Sequence, residues 1–180
     1  KITIEQKDQT LYVECKNLKT QIQGQNPEDF PIIPKFEEGD FLEVDNEVFC
    51  RALSGVIDFT AISQTRPEIS GIYFSFSKNN IKMVATDSFR LAEKNIVLEK
   101  SIEKDHSRIL PQKAAREVIN ILDGRGGALK IYFSGNQALF ELPMAEVKHP
   151  QIQVISRLID GEYPNYQDII PSKFKTNITL

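Results

Sequence analysis

The chain carries one piece of punctuation twice. Asp29-Phe-Pro-Ile-Ile-Pro34 and Glu162-Tyr-Pro-Asn-Tyr-Gln-Asp-Ile-Ile-Pro171 each run from an aromatic-proline pair to Ile-Ile-Pro. Proline restricts φ and withholds a backbone N–H, so neither segment can be a central strand; both read as extended connectors leaving one sheet unit for the next. Two unrelated proline-rich loops would carry the same residues. If the two are equivalent, the stretch between them is one complete repeat unit, flanked by pieces of others.

With 180 residues, 41% of them apolar, the chain can bury a sizeable core. No apolar run approaches the roughly 20 residues that a membrane helix needs. The first residues, KITIEQKDQT, lack the apolar stretch of a signal peptide. A cytoplasmic address without membrane contact is therefore expected. Cys15 and Cys50 have no close second Cys and no His at ligand spacing, so two free thiols are expected. A net charge of −3 gives no global attraction to nucleic acid, so any such contact must be local. At the start, Ile2, Ile4, Leu11 and Val13 alternate around Lys7-Asp8-Gln9 as a hairpin, and Lys175–Leu180 reads as a strand just starting. Strands at both ends suggest a piece of something longer.

Between the connectors, residues 45–57 place Val48, Phe49, Ala52, Leu53 and Val56 at helical spacing, with Asp45 or Asn46 as cap. Strands follow at 71–76 and 81–86 around the turn-like 77–80, then at 91–98 and 107–110. A second helix runs from Pro111 to Leu122 with Ala114, Val118, Ile121 and Leu122 as its stripe, stopped by Asp123-Gly124. Further strands are expected at 128–133, 137–142 and 151–158. The order is helix, strands, helix, strands: an α+β fold in which two helices pack on one side of antiparallel β-sheets.

On the second helix Lys113, Arg116 and Asn120 share a narrow sector, with Glu117 beside them. This is either a solvated surface or a face that meets phosphates without reading sequence. The first helix offers Glu47, Arg51, Ser54 and Asp58 on its polar side, so Arg51 is its one cation. Neither His106 nor His149 sits in a metal-binding or triad pattern. Gly124-Arg-Gly-Gly127 lacks the Lys-Ser/Thr of a phosphate loop and follows a helix, so it reads as a helix stop. No catalysis, cofactor or metal is expected.

The sharpest string is Val84-Ala-Thr-Asp-Ser-Phe-Arg-Leu-Ala92, a strand end, a polar turn and a strand start. Thr86, Asp87 and Ser88 can bond local backbone and close the turn. Phe89, Arg90 and Leu91 are left crowded at one corner, an arrangement suited to gripping a short apolar peptide with a polar anchor.

Ala85–Ala92 resembles the Ala-Thr-Asp-Gly-His-Arg-Leu-Ala signature of the bacterial DNA polymerase III beta subunit, the beta sliding clamp. Arg66-Pro-Glu-Ile-Ser-Gly71, Ile109-Leu-Pro-Gln-Lys113 and Leu158-Ile-Asp-Gly-Glu-Tyr-Pro-Asn-Tyr166 are similar to three further family stretches, in the same order. The resemblance implies the DNA clamp fold: residues 1–35 as the end of a first domain, 36–168 as a complete second domain and 169–180 as the start of a third. It implies a non-catalytic processivity factor whose homo-oligomeric ring encircles duplex DNA without reading its sequence. Replicative polymerase, clamp loader and repair proteins would dock through short Gln/Leu/Phe-containing motifs. The positions matching the family's peptide groove are Arg66, Ile69, Thr86, Ser88, Phe89, Arg90, Leu91, Pro164 and Ile169. Lys113, Arg116 and Arg51 would face DNA. This sequence departs from the family at Ser88-Phe89, where the signature has Gly-His, and at Asp168, where some relatives place Arg. Pro67-Glu68 replaces aromatic DNA-contacting residues of some members. The competing reading is a β-rich peptide-binding adaptor that never encircles DNA and has no need of the Lys113/Arg116 face.

Overall fold

Alternation of apolar and polar side chains builds the first of two units into which the chain divides, Lys1–Lys35 and Phe36–Leu180. The computed structural model describes residues 1–30, 36, 41–62, 65–102, 105–144, 151–171 and 176. In the first unit, β1 (Ile2–Lys7), β2 (Thr10–Cys15) and β3 (Leu18–Gln23) form an antiparallel meander. Its register puts Ile2, Ile4, Leu11, Val13, Cys15, Leu18 and Ile22 on one face. The hairpin expected from sequence thus gains a third strand, missed because Leu18 and Ile22 are its only large apolar residues. Leading into the first connector, Pro27–Asp29 forms a 3-10 turn capped by Asn26. Residues 31–35 lie outside the described residues, as do Lys175 and 177–180, where a strand start was expected.

The second unit is built from two halves with one plan. The first is β4 (Phe41–Asp45), α1 (Asn46–Val56), β5 (Gly71–Ser77), β6 (Asn80–Thr86) and β7 (Leu91–Val97). The second is β8 (His106–Pro111), α2 (Gln112–Leu122), β9 (Ala128–Ser134), β10 (Gln137–Pro143) and β11 (Gln151–Arg157). The sheets run β7-β6-β5-β8 and β11-β10-β9-β4, antiparallel throughout, so the first strand of each half completes the sheet of the other. The likeness extends to single bonds: the carbonyls of Asn79 and Asn136, in matching hairpin turns, accept the N–H groups of Leu98 and Leu158, each at 2.7 Å. β4 was not anticipated, because the acidic stretch before it reads as loop and only Leu42 and Val44 alternate.

Both helices are rotated from the stripes read in the sequence. Asp45 caps α1, its carboxylate accepting the Val48 N–H at 2.9 Å. Val48, expected inside, is 42% exposed, while Asn46 and Cys50 are buried beside Phe49, Ala52, Leu53 and Val56. On α2 the buried residues are Ala115, Val118 and Leu122; Ala114 is half-buried and Ile121 is exposed. Pro111, expected as the first turn, is instead the last residue of β8. Asn46 explains much of the rotation. Its Nδ2 donates to the carbonyls of Leu122 at 2.8 Å and Arg125 at 2.6 Å, and its N–H to Gly127 O at 3.0 Å, stitching the start of α1 to the end of α2. A polar residue so completely satisfied can be buried.

The core lies between the helices and the two sheets. Phe49 reaches both sheets, its ring 6.2 Å from Phe74 on β5 and 5.9 Å from Phe140 on β10. His106 stacks on Phe76 at 4.7 Å, a packing role. Cys15 and Cys50 are free thiols, and burial, then Asp123, pushes the Cys50 thiol up to about 11. Among the described residues no helix is long and apolar enough to cross a membrane.

Candidate functional site

The β6–β7 turn owes its shape to short polar side chains bonding their own backbone. Thr86 Oγ1 donates to Arg90 O at 2.7 Å and accepts the Ser88 N–H at 3.1 Å. Asp87 Oδ1 accepts the N–H groups of Arg90 at 2.7 Å and Phe89 at 2.9 Å, while its Oδ2 meets the Arg90 guanidinium at 2.9 Å. The Arg90 backbone bond, then that of Phe89, then the guanidinium hold the Asp87 carboxyl down to about 2. Ser88 sits in the left-handed region, φ +76°, where glycine is at ease. The outcome is a rigid corner that presents Phe89 at 96% exposure.

Arg90 is not a loose cation. Besides Asp87, its guanidinium lies 5.2 Å over the Phe59 ring, and its Nη2 donates to Asp58 O at 3.3 Å. Both partners belong to the Ile57–Phe59 3-10 turn that follows α1. Sequence reading missed this platform, since Phe59 falls just beyond the apolar stripe it weighed. Arg66 approaches from the Pro67–Ser70 3-10 turn, donating from Nη1 to Ser88 Oγ at 3.5 Å while its Nε holds Glu68 at 3.2 Å.

Behind the corner, the segment after β11 crosses the outer face of the β7-β6-β5-β8 sheet as a strap. Register aligns Ile109, Tyr73, Val84 and Glu93 in one row across that sheet. These residues alternate with core residues such as Phe74, Met83 and Leu110, so they point away from the helices. The strap follows the row. Ile159 N–H donates to Ile109 O at 2.9 Å, the Tyr163 ring stacks on Tyr73 at 4.9 Å, and the Tyr166 hydroxyl donates to Glu93 Oε2 at 2.8 Å. Val84 and Ile109 are consequently buried on the outer face as well. Gly71 lets the strap pass: a Cβ there would lie 2.6 Å from Leu110 O and 2.9 Å from Ile159 Cδ1. Burial pushes the Tyr163 hydroxyl up to about 12 and, aided by Glu93, raises Tyr166 further. At Glu93 burial pushes the carboxyl up, but bonds from Tyr166 and Asn95 and the Lys82 charge outweigh it and leave it below the usual range.

The nine residues expected at a peptide groove therefore fall into three sets. Arg66, Ser88, Phe89 and Arg90 are exposed together at the corner. Ile69 and Thr86, at 3% and 5% exposure, back it from inside, and half-buried Leu91 pairs with Thr86 on the strap's side of the sheet. Pro164 is half-buried on the strap between Tyr163 and Tyr166; Ile169, 65% exposed, sits on the next 3-10 turn, where its N–H bonds locally to Tyr166 O. Asp168 is occupied by Asn165 Nδ2 at 2.7 Å. A recess of about 500 Å³ opens on the other flank of the strap, beside Ser107, Asn136 and Gly161, and none of the nine lines it.

The three cations read as DNA-facing, Arg51, Lys113 and Arg116, are all exposed on the helices. Arg116 does not stand alone: its Nη2 lies 2.7 Å from Asp58 Oδ1.

Comparison with known proteins agrees with this architecture. Residues 43–165 match the family model described as DNA polymerase III beta subunit, central domain. The beta sliding clamp of Staphylococcus aureus is 25% identical over all 180 residues, which correspond to 45% of that protein. The crystal structure of the Bacillus subtilis sliding clamp superposes with a TM-score of 0.85 at 24% identity, over 96% of this chain and 44% of that one. The Helicobacter pylori beta clamp bound to DNA ligase peptide superposes at 0.81 and 24% identity, over 97% of this chain and 47% of that one. The chain thus spans about half the length of the relatives it matches. With its helix-and-sheet halves and a family match over most of its length, the chain belongs to the DNA polymerase III beta subunit family.

Proposed function

We propose that this chain is the central part of a non-catalytic, cytoplasmic sliding clamp, which as a complete ring encircles duplex DNA and tethers polymerase, clamp loader and repair proteins. In this reading residues 1–35 end a first domain, 36–168 form the second and 169–180 begin a third. The chain's division at residue 35 supports the first of those limits, and the central-domain match over 43–165 falls within the second domain so drawn. A ring stays on DNA because it must open to leave, so few non-specific phosphate contacts suffice, and Lys113, Arg116 and Arg51 supply them. Tethering then raises the local concentration of each partner at its template.

The observation that carries the partner-binding part is the locked corner, where a fully exposed Phe89 stands beside a pre-oriented Arg90. An exposed aromatic on a rigid turn is suited to anchoring an apolar side chain, with Arg90 as the polar contact. A relative bound to a DNA ligase peptide supports peptide as the ligand class. A Gln- and Leu/Phe-containing peptide should bind this chain weakly, and Arg90→Ala with Leu91→Ala should remove the binding. Unchanged affinity in that double variant would sink the assignment. The ion pair at Arg116 thins the cationic face and favours the adaptor alternative, which a salt-dependence measurement on the helix cations decides.

A further inference from the structure

The helix face and the peptide corner meet at one residue. Asp58 Oδ1 pairs with Arg116 of α2 at 2.7 Å, while the Asp58 carbonyl accepts Arg90 Nη2 at 3.3 Å. Its neighbour Phe59 lies under the Arg90 guanidinium at 5.2 Å. A further tie, Gln112 Nε2 to Ile57 O at 3.4 Å, fixes the start of the same turn to α2. Ile57–Phe59 is thus a three-residue bracket, bolted to α2 at one end and carrying Arg90 at the other.

We infer that Asp58 is a positioning residue for the corner: it keeps the Phe59 platform and its own carbonyl under Arg90, and Arg116 keeps Asp58 in place. This rests on the reading of the corner as a peptide site. The side chains of Arg116 and Asp58 are 46% and 70% exposed, so the pair is worth little as an attraction in water. Its effect lies in selecting one arrangement of a short turn, and pre-orientation of Arg90 lowers the ordering cost of binding. An anion that takes Arg116, such as a DNA phosphate, competes with Asp58 for the same guanidinium. Phosphate on α2 and peptide at the corner therefore oppose each other, and by linkage each weakens the other by the same factor.

The test is the affinity of a fluorescent Leu/Phe-containing peptide for the wild-type chain and for Asp58→Ala, Arg116→Ala, Arg116→Lys and the double Asp58→Ala/Arg116→Ala. Each alanine variant should weaken binding about two- to fivefold, the range of one exposed pair. The double variant should be no weaker than either single, and Arg116→Lys should keep most of the affinity. A charge effect alone would move Asp58→Ala and Arg116→Ala in opposite directions, because one removes an anion and the other a cation. Opposite or additive changes overturn the inference. The Arg90 Nε–Hε resonance supplies an independent measurement. It should shift in both single variants, and a resonance indifferent to Arg116→Ala overturns positioning even if the wild type binds no peptide, the result that would refute the corner reading itself.

Discussion

Helices α1 and α2 have the same length, 11 residues, and occupy matching slots in the two halves, yet they do different work. α1 buries Asn46, Phe49, Cys50, Ala52, Leu53 and Val56 and begins on a side-chain cap. α2 buries only Ala115, Val118 and Leu122, begins at Pro111 with no side-chain cap bond, and leaves Lys113, Arg116 and Asn120 in solvent. The cause is side-chain volume. Phe49 spans the gap between two sheets, whereas α2 reaches the core through Ala115, Val118 and Leu122, with no aromatic among them. One backbone slot can therefore be spent on the core or on the surface, and in this unit α1 is committed to the first and α2 left available for the second.

The sharpest way to break that comparison is Phe49→Ala. A fully buried aromatic touching two sheets should cost about 3–5 kcal/mol on truncation, read by urea denaturation of the chain. A loss below about 1 kcal/mol would show that α1 is not the principal core helix. Next comes the surface role of α2. Lys113→Glu with Arg116→Glu in the full-length protein should lower DNA retention and flatten its log-salt slope by up to about 0.9 for each lost phosphate contact. Arg51→Glu on α1 should do less, and equal effects would erase the distinction between the helices. The smallest effect concerns the caps. Asp45→Ala should cost about 0.5–2 kcal/mol, seen as a lowered melting temperature, while Pro111→Ala removes no cap bond and should cost less.

Much of this was legible in residue order. The 3.6-residue period marked both helices, Asp45 was among the expected caps, and Asn- and Gly-containing turns separated strands at Lys78-Asn79 and Gly135-Asn136. The Thr86–Arg90 turn could be foreseen because its bonds are local. What periodicity misplaced were the buried faces: Val48 and Ile121 drew the stripes toward themselves, while polar Asn46 and small Ala115 occupied the interior. Asn46 is inside only because three carbonyls from the end of α2 and the loop after it meet it there, and such partners, some 76 or more residues away, leave no local pattern. The same holds for Phe59 under Arg90 and Tyr166 on Glu93, which depend on pairing between distant segments. The connection between corner and helix through Asp58 was invisible for that reason, although Asp58 itself had been placed on the polar side of α1.

The exchange of first strands between the halves bears on how the unit forms. A half made alone would lack one strand in its sheet and would display two unpaired edges ready for the wrong partner. Because β4 must wait for β9, and β8 must return to β5, correct pairing joins segments far apart in the chain, which slows the search and raises the exposure of intermediates. Once closed, neither half can come apart without opening both sheets. Unfolding of this unit should therefore be a single transition, and strain applied at one half is shared at once by the other.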